Sequence, residues 1–221
     1  MTEVYIVRHC EAQGNVKRIF QGVTDLDISE TGAKQLEYLA ERFKNIKVDK
    51  IYASPLKRAF KTAQAIANVT GGEVVKDERF TELNGGVLEG RLFKQVFEED
   101  PVLADTWDNH PQDFAPLGGE KMRDAYERIY DAVLDIAKKN KGKTVAIASH
   151  GGAIRCLACR LLYGDITRLK DTAWSDNTGI TLVRFDDDFN PQLIFYNDSF
   201  HVPKQYLPKR NRLSSFIGDK S

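Results

Sequence analysis

The sequence predicts an α/β protein: a three-layer α/β/α sandwich on a mostly parallel sheet, with a small lid insertion. Three observations carry that prediction. Short β-branched runs alternate with stretches of helical periodicity, the pattern of strands joined by crossover helices. Three of these strands end in polar residues with obvious chemistry: Arg8-His9, Ser54-Pro55 with Arg58, and Ser149-His150-Gly151-Gly152. One stretch, residues 80–118, breaks the alternation. It holds three of the seven prolines (Pro101, Pro111, Pro116) together with Gly85-Gly86 and Gly118-Gly119, and reads as loops with one or two short helices. The 221 residues suit one domain over 1–221, with the lid at 80–118 and a basic tail at 203–221.

The elements follow in order. Residues 3–8 form a short apolar run and read as a buried strand. Residues 29–44 read as a helix, with Ser29 as N-cap and Ala33, Leu36, Ala40 and Phe43 at helical spacing. Lys50 to Ser54 is a second strand. Pro55 suits the first turn of a helix reaching about Val69, stopped by Gly71-Gly72. Glu73 to Lys76 is a third short strand. After the lid, residues 120–139 place Met122, Ala125, Tyr126, Ile129, Val133, Ile136 and Ala137 on one helical face. Thr144 to Ala148 is an apolar strand, with a helix after Gly152. Residues 178–185 and 191–197 read as two closing strands around a turn at Asp186 to Asn190. No repeat or low-complexity segment interrupts the chain.

Composition limits the partners. Lys plus Arg equals Asp plus Glu, 32 each, so no global field draws in nucleic acid or an acidic membrane. The positive charge for any anionic ligand must be local. No apolar stretch approaches the ~20 residues of a membrane span. The chain enters Val4-Tyr5-Ile6-Val7 without a basic leader, so a cytoplasmic protein is expected, monomeric or homodimeric. Cys10, Cys156 and Cys159 are an odd set that fits a reducing compartment. Cys156-Leu-Ala-Cys159 reads as two small apolar residues on a helix, because no second pair completes a zinc site.

There are four histidines: His9, His110, His150 and His201. Two end predicted core strands. In open α/β sheets ligands bind beyond the carboxyl ends of the strands. A phosphoryl dianion needs donors around its oxygens. Arginine supplies a fixed, charged fork, and Arg8 and Arg58 stand at these ends. By spacing alone Arg58 resembles a solvated residue beside Lys57 and Lys61. Helix N-termini after Ser54 and Gly152 add backbone N–H donors.

Together these pieces resemble the histidine phosphatase superfamily, or phosphoglycerate mutase-like family. The matching residues are Val7-Arg8-His9-Cys10-Glu11 with Asn15, Gln21-Gly22 and Asp25, and Ser29 to Gly32. They continue with Ser54-Pro55-Leu56-Lys57-Arg58-Ala59, Thr62-Ala63, Glu82-Leu83, Glu89-Gly90 and Ser149-His150-Gly151-Gly152. They keep the family's order over roughly residues 3–155.

The resemblance implies a phosphatase of small phosphorylated metabolites that needs no cofactor and no metal. His9 would attack phosphorus and carry it as phosphohistidine. Arg8, Arg58 and His150 would hold the phosphoryl oxygens. Asn15, Gln21, Gly22 and Gly151 would line the phosphate or substrate site. Glu82 would protonate the leaving oxygen and then activate water. His9 must be neutral to attack. His150 donates best when protonated, so the two rings are expected to differ in charge.

The departures are specific. Cys10 replaces the family's usual Gly after the nucleophile. It is expected to crowd the phosphate loop, and beside Arg8 and His9 its thiolate would be favoured, making the enzyme sensitive to oxidation. Ala12 replaces a frequent Ser or Thr, and Asp27 stands where a Pro is common. His9-Cys10 also begins the loop of cysteine-dependent tyrosine phosphatases. That loop needs Arg six positions after Cys, where this chain has Val16. A non-catalytic phosphate binder is a further alternative. The mutase alternative lacks its usual Arg-His-Tyr-Gly run, since Glu82 is followed by Leu83-Asn84-Gly85-Gly86. In the lid, Phe93, Phe97, Trp107, His110 and Phe114 either pack as its own core, the preferred reading, or line a pocket. The tail cations Lys204, Lys209, Arg210 and Arg212 read as a solvated end.

Overall fold

The computed structural model describes residues 1–207. Lys209, Arg210 and Arg212 of the basic tail lie outside the described residues. Six strands form one sheet: β1 (Thr2–Arg8), β2 (Lys50–Ala53), β3 (Val74–Lys76), β4 (Thr144–Ser149), β5 (Ile180–Phe185) and β6 (Pro191–Asp198). Their order is β3-β2-β4-β1-β5-β6. The first four run parallel, and β5 and β6 close the sheet antiparallel. The helices are α1 (Gln13–Lys17), α2 (Glu30–Phe43), α3 (Lys57–Thr70), α4 (Phe93–Glu99), α5 (Pro101–Asn109), α6 (Met122–Lys139) and α7 (Gly151–Tyr163).

Alternation along the strands divides the core in two. Val4 and Ile6 of β1, with Val145 and Ile147 of β4, face one side, where Ile129 and Val133 of α6 and Leu157 of α7 cover them. Val7, Ile51, Ala146 and Ala148 face the other side, under Leu39 and Phe43 of α2 and Ala63 and Ile66 of α3. The expected three layers are present.

Element boundaries depart from expectation in two places. Pro55 lies before α3, not in its first turn, and Leu56 is the extended N-cap residue. Asp25 Oδ1 accepts the Lys57 N–H at 2.7 Å, so a carboxylate from another loop caps this helix. Helix α1 was not expected. Its five residues carry no apolar periodicity, and Asn15 Oδ1 holds its start by accepting the Ala12 N–H at 2.9 Å. Ser29 caps α2 as predicted, accepting the Gly32 N–H at 3.0 Å.

Residues 80–118 hold α4, α5 and short 3-10 turns at Gly86–Leu88 and Pro111–Asp113. Their aromatic residues pack on one another and on the sheet's α6–α7 side. Trp107 meets Phe114 edge-on at 4.8 Å between centroids and Phe20 at 5.8 Å. Phe97, Trp107 and Phe114 are buried and belong to the core, as preferred, while His110 is exposed and apart from them.

Candidate active site

Strand register brings the candidate residues together. Arg8 of β1 stands opposite Ser149 of β4, and Ala148 of β4 opposite Ala53 of β2. The residues that leave these ends are His9, His150 and Ser54. Backbone bonds fix the exits: His9 N–H to Ser149 O at 2.9 Å, and Ser54 N–H to Ala148 O at 3.0 Å. The rings of His9 and His150 lie 5.1 Å apart between centroids, tilted 56°.

His9 is buried, and its Nδ1 lies 2.6 Å from the Cys10 carbonyl oxygen. A carbonyl can only accept, so Nδ1 carries the proton and Nε2 keeps its lone pair. Burial holds the ring's pKa well below the usual 6.5, and Arg58 and Arg8 push it further down. The ring is therefore neutral with a nucleophilic nitrogen available.

His150 is fully buried, with Nε2 2.8 Å from Ser54 Oγ. The same oxygen accepts the Leu56 N–H at 3.4 Å. Burial, then Arg58 and His9, hold this ring too well below 6.5. Burial and the two arginines disfavour the charged form of both rings, so the shifts run in the same direction for His9 and His150.

Arg8 donates Nη1 to the Ser175 carbonyl. Arg58, which spacing alone would expose, is fully buried. It donates Nη1 to Thr24 O at 2.9 Å and Nη2 to Gln21 O at 2.6 Å and Gly22 O at 2.8 Å. Burial lowers its pKa to about 10, so it stays charged at neutral pH. Around the strand ends, three buried nitrogens have no hydrogen-bond partner among the described residues: Arg8 Nε, Arg58 Nε and His150 Nδ1. Buried polar nitrogens are nearly always paired, and these three belong to residues at two strand ends and the start of α3, around His9. The oxygens of an anion are suitable partners for such groups.

Glu82 sits at the N-terminus of α7. Its Oε2 accepts the Gly152 N–H at 2.9 Å, and its Oε1 accepts the Ala153 N–H at 3.0 Å. Gly152 leaves room for this carboxylate: a Cβ on it would lie 2.7 Å from Glu82 Oε1. Gly151 opens α7 with its Cα hydrogens toward Arg8 and Trp174. Of the remaining expected residues, Gln21 and Gly22 anchor Arg58 through their carbonyls, and Gln21 Oε1 is buried and unpaired. Asn15 uses its carboxamide oxygen inside the loop.

Cys10 corrects an expectation. Its side chain is fully buried, and its N–H donates to Thr62 Oγ1 at 3.1 Å on α3. Burial pushes the thiol pKa up to about 12. The cysteine faces the helix layer as a small apolar group, with no favoured thiolate. Cys156 and Cys159 are buried on α7 as expected, with Cys156 Sγ 3.5 Å from Met122 Sδ.

Sequence reading missed Asn177 and Thr178. Asn177 Nδ2 donates to the His9 carbonyl at 3.0 Å, and Thr178 N–H donates to the Arg8 carbonyl at 3.0 Å. Thr178 takes φ +57, an unfavourable conformation for a β-branched residue. The segment Asp176-Asn177-Thr178-Gly179 signals only a turn, and nothing in it points to a loop beside the end of β1.

Comparison with known proteins bears on the family. The model for "Histidine phosphatase superfamily (branch 1)" matches residues 4–199. Phosphoserine phosphatase 1 of Hydrogenobacter thermophilus is 31% identical over 94% of this chain and 97% of its own. A probable phosphoglycerate mutase GpmB of Salmonella paratyphi A is 34% identical, over 73% of this chain and 75% of its own. Among solved structures, Bacillus stearothermophilus YhfR superposes with TM-score 0.86 at 27% identity, covering 91% of this chain and 99% of its own. A histidine-to-alanine variant of Entamoeba histolytica phosphoserine phosphatase, in complex with phosphoserine, has TM-score 0.80 at 29% identity, covering 92% and 100%.

Proposed function

The chain belongs to the histidine phosphatase superfamily, and we propose that it hydrolyses small phosphomonoesters by passing the phosphoryl group through Nε2 of His9. The family assignment and the phosphatase relatives make it a phosphomonoester hydrolase. The individual roles are this proposal. It is carried by one observation: three unpaired buried nitrogens, Arg8 Nε, Arg58 Nε and His150 Nδ1, on residues set around His9, whose charged form burial and the arginines disfavour.

In the first step Nε2 attacks phosphorus in line. The N–P bond forms as the ester P–O bond breaks, and Glu82 gives its proton to the leaving oxygen. Arg8, Arg58 and His150 stabilise the charge on the equatorial oxygens. In the second step water attacks phosphorus and loses its proton to Glu82. The N–P bond breaks, releasing inorganic phosphate and restoring His9. Charge stabilisation rests on the arginines and His150, so the reaction runs without a divalent metal. Residues 80–118 act as the lid over this site within a single domain, since Glu82 stands at their root. We place the enzyme in the cytoplasm, consistent with three free, buried cysteines.

Phosphoserine is the first substrate to test, because the phosphoserine phosphatases of Hydrogenobacter thermophilus and Entamoeba histolytica cover nearly the whole chain. Inorganic phosphate release from a panel of monoesters, with and without EDTA, tests the reading. Turnover is expected in both conditions, and loss in EDTA contradicts the metal-free step. The mutase reading has a weaker basis, since the GpmB relative matches 73% of the chain. It predicts interconversion of 2- and 3-phosphoglycerate faster than phosphate release.

A further inference from the structure

We infer that Glu89 is a positioning residue that aims Arg58 at the phosphoryl group and ties the Arg58 anchor to the loop following Glu82. The inference rests on the phosphate-binding role proposed for Arg58.

Glu89 is the carboxylate of the Glu89-Gly90 pair, a motif to which sequence reading gave no role. Its side chain accepts four hydrogen bonds from two separate segments. Oε1 accepts from Val23 N–H at 3.0 Å and Gly85 N–H at 2.7 Å. Oε2 accepts from Thr24 N–H at 2.9 Å and Thr24 Oγ1–H at 2.5 Å. A carboxylate has room for about four such donors, so its acceptor capacity is filled.

The peptide planes explain why this matters for Arg58. The N–H of Val23 and the carbonyl of Gly22 belong to one planar peptide unit. Glu89 holds the N–H end of that unit, and Arg58 Nη2 holds the carbonyl end at 2.8 Å. The next donor on Glu89, Thr24 N–H, belongs to the same residue as the Thr24 carbonyl that takes Arg58 Nη1, one peptide unit before it. Arg58 is therefore fixed by a short loop whose tilt Glu89 sets. Charge-assisted bonds at one end of a peptide also strengthen its carbonyl as an acceptor at the other.

The same carboxylate reaches Gly85, three residues beyond Glu82. The two segments are packed without slack: a Cβ on Gly22 would lie 2.0 Å from the Leu83 carbonyl oxygen and 2.3 Å from Glu89 Oε1. A shift of the 21–24 loop therefore meets the 83–85 loop, and Glu89 keeps the arginine and the general acid in one frame. Glu89 itself makes no contact with His9, Arg8 or His150 among the described hydrogen bonds, so it acts through Arg58.

A double-mutant cycle tests this. Glu89→Gln keeps the shape but turns an amide N–H₂ toward backbone donors. It is expected to lower kcat/KM by up to about 100-fold, the cost of an ångström-scale misplacement. In an Arg58→Lys background, where the three-carbonyl clamp is already lost, the same change is expected to cost less than about threefold. Equal fold-losses in the two backgrounds, to within about twofold, overturn the inference and leave Glu89 a merely structural residue. Undiminished activity of Glu89→Gln overturns it as well. Should Glu89→Gln not fold, Thr24→Val removes only the hydroxyl arm and runs through the same cycle with the same criterion. Wild-type kcat/KM in Arg58→Lys alone defeats the underlying phosphate role, which separates that failure from failure of the inference.

Discussion

The immediate surroundings of His9 suit the nucleophile role proposed for it. The Cys10 carbonyl fixes the tautomer, and burial with two arginines keeps Nε2 unprotonated. Imidazole titration by NMR, on protein free of phosphate, should therefore find His9 and His150 protonating only well below pH 6.5. A His9 midpoint at or above 6.5 contradicts the account. Cys10 gives a second prediction at this scale. With its thiol buried and its pKa near 12, mild peroxide should inactivate wild type and Cys10→Gly at equal rates. Faster loss in wild type, with sulfenic acid on Cys10 by mass spectrometry, would show that the thiol is reached. Residue roles were unevenly legible in the sequence. Arg8 and His9 stood out because a strand end exposes polar groups to a ligand. Arg58 was masked by Lys57 and Lys61, since local spacing does not show that a distant loop, Gln21 to Thr24, folds over one of the three. Asn177 and Thr178 were invisible for the same reason: their partners are some 170 positions away in the chain.

The strands and helices were the most legible level, because apolar periodicity reports which face is buried. What the sequence did not show was register. That Arg8 lies opposite Ser149 follows from how both helix layers seat on the sheet, and this alignment turns two separate histidines into neighbours. The start of α7 is the element most tightly tied to chemistry, since its first free N–H groups hold the Glu82 carboxylate. Gly152→Ala puts a Cβ 2.7 Å from Glu82 Oε1. The carboxylate is the end of a flexible side chain and can move, so the fold should survive while the general acid is displaced. A fall of at least about tenfold in kcat is expected, with a melting temperature within a few degrees of wild type. Unchanged kcat would separate Glu82 from the chemistry.

At the scale of the whole molecule, buried His9 and His150 and partly buried His201 impose a pH dependence on stability. His9 and His150 are held well below 6.5, and burial lowers His201, whose two ring nitrogens are buried and unpaired, to about 4. An unfolded histidine takes up its proton near pH 6.5, while these folded ones do not. Their contribution is intact above about 6.5 and is lost progressively as the pH falls toward their folded values. Urea midpoints should decline from pH 7 to pH 4.5, and His201→Gln should flatten the decline. A flat profile in wild type would mean that the histidines are not buried in solution. The fold class was legible as a whole, since alternating strands and helices admit few other architectures. The role of residues 80–118 was not, because their aromatic residues pack as core and the sequence of a core does not name a substrate. The central claim is that His9 carries the phosphoryl group, and trapping it is the most direct test. Protein quenched during turnover of a ³²P-labelled monoester should carry a label that is stable to base, labile to acid, and mapped to the peptide containing His9. Absence of label on that peptide, or a His9→Ala variant that keeps its rate, would contradict the account.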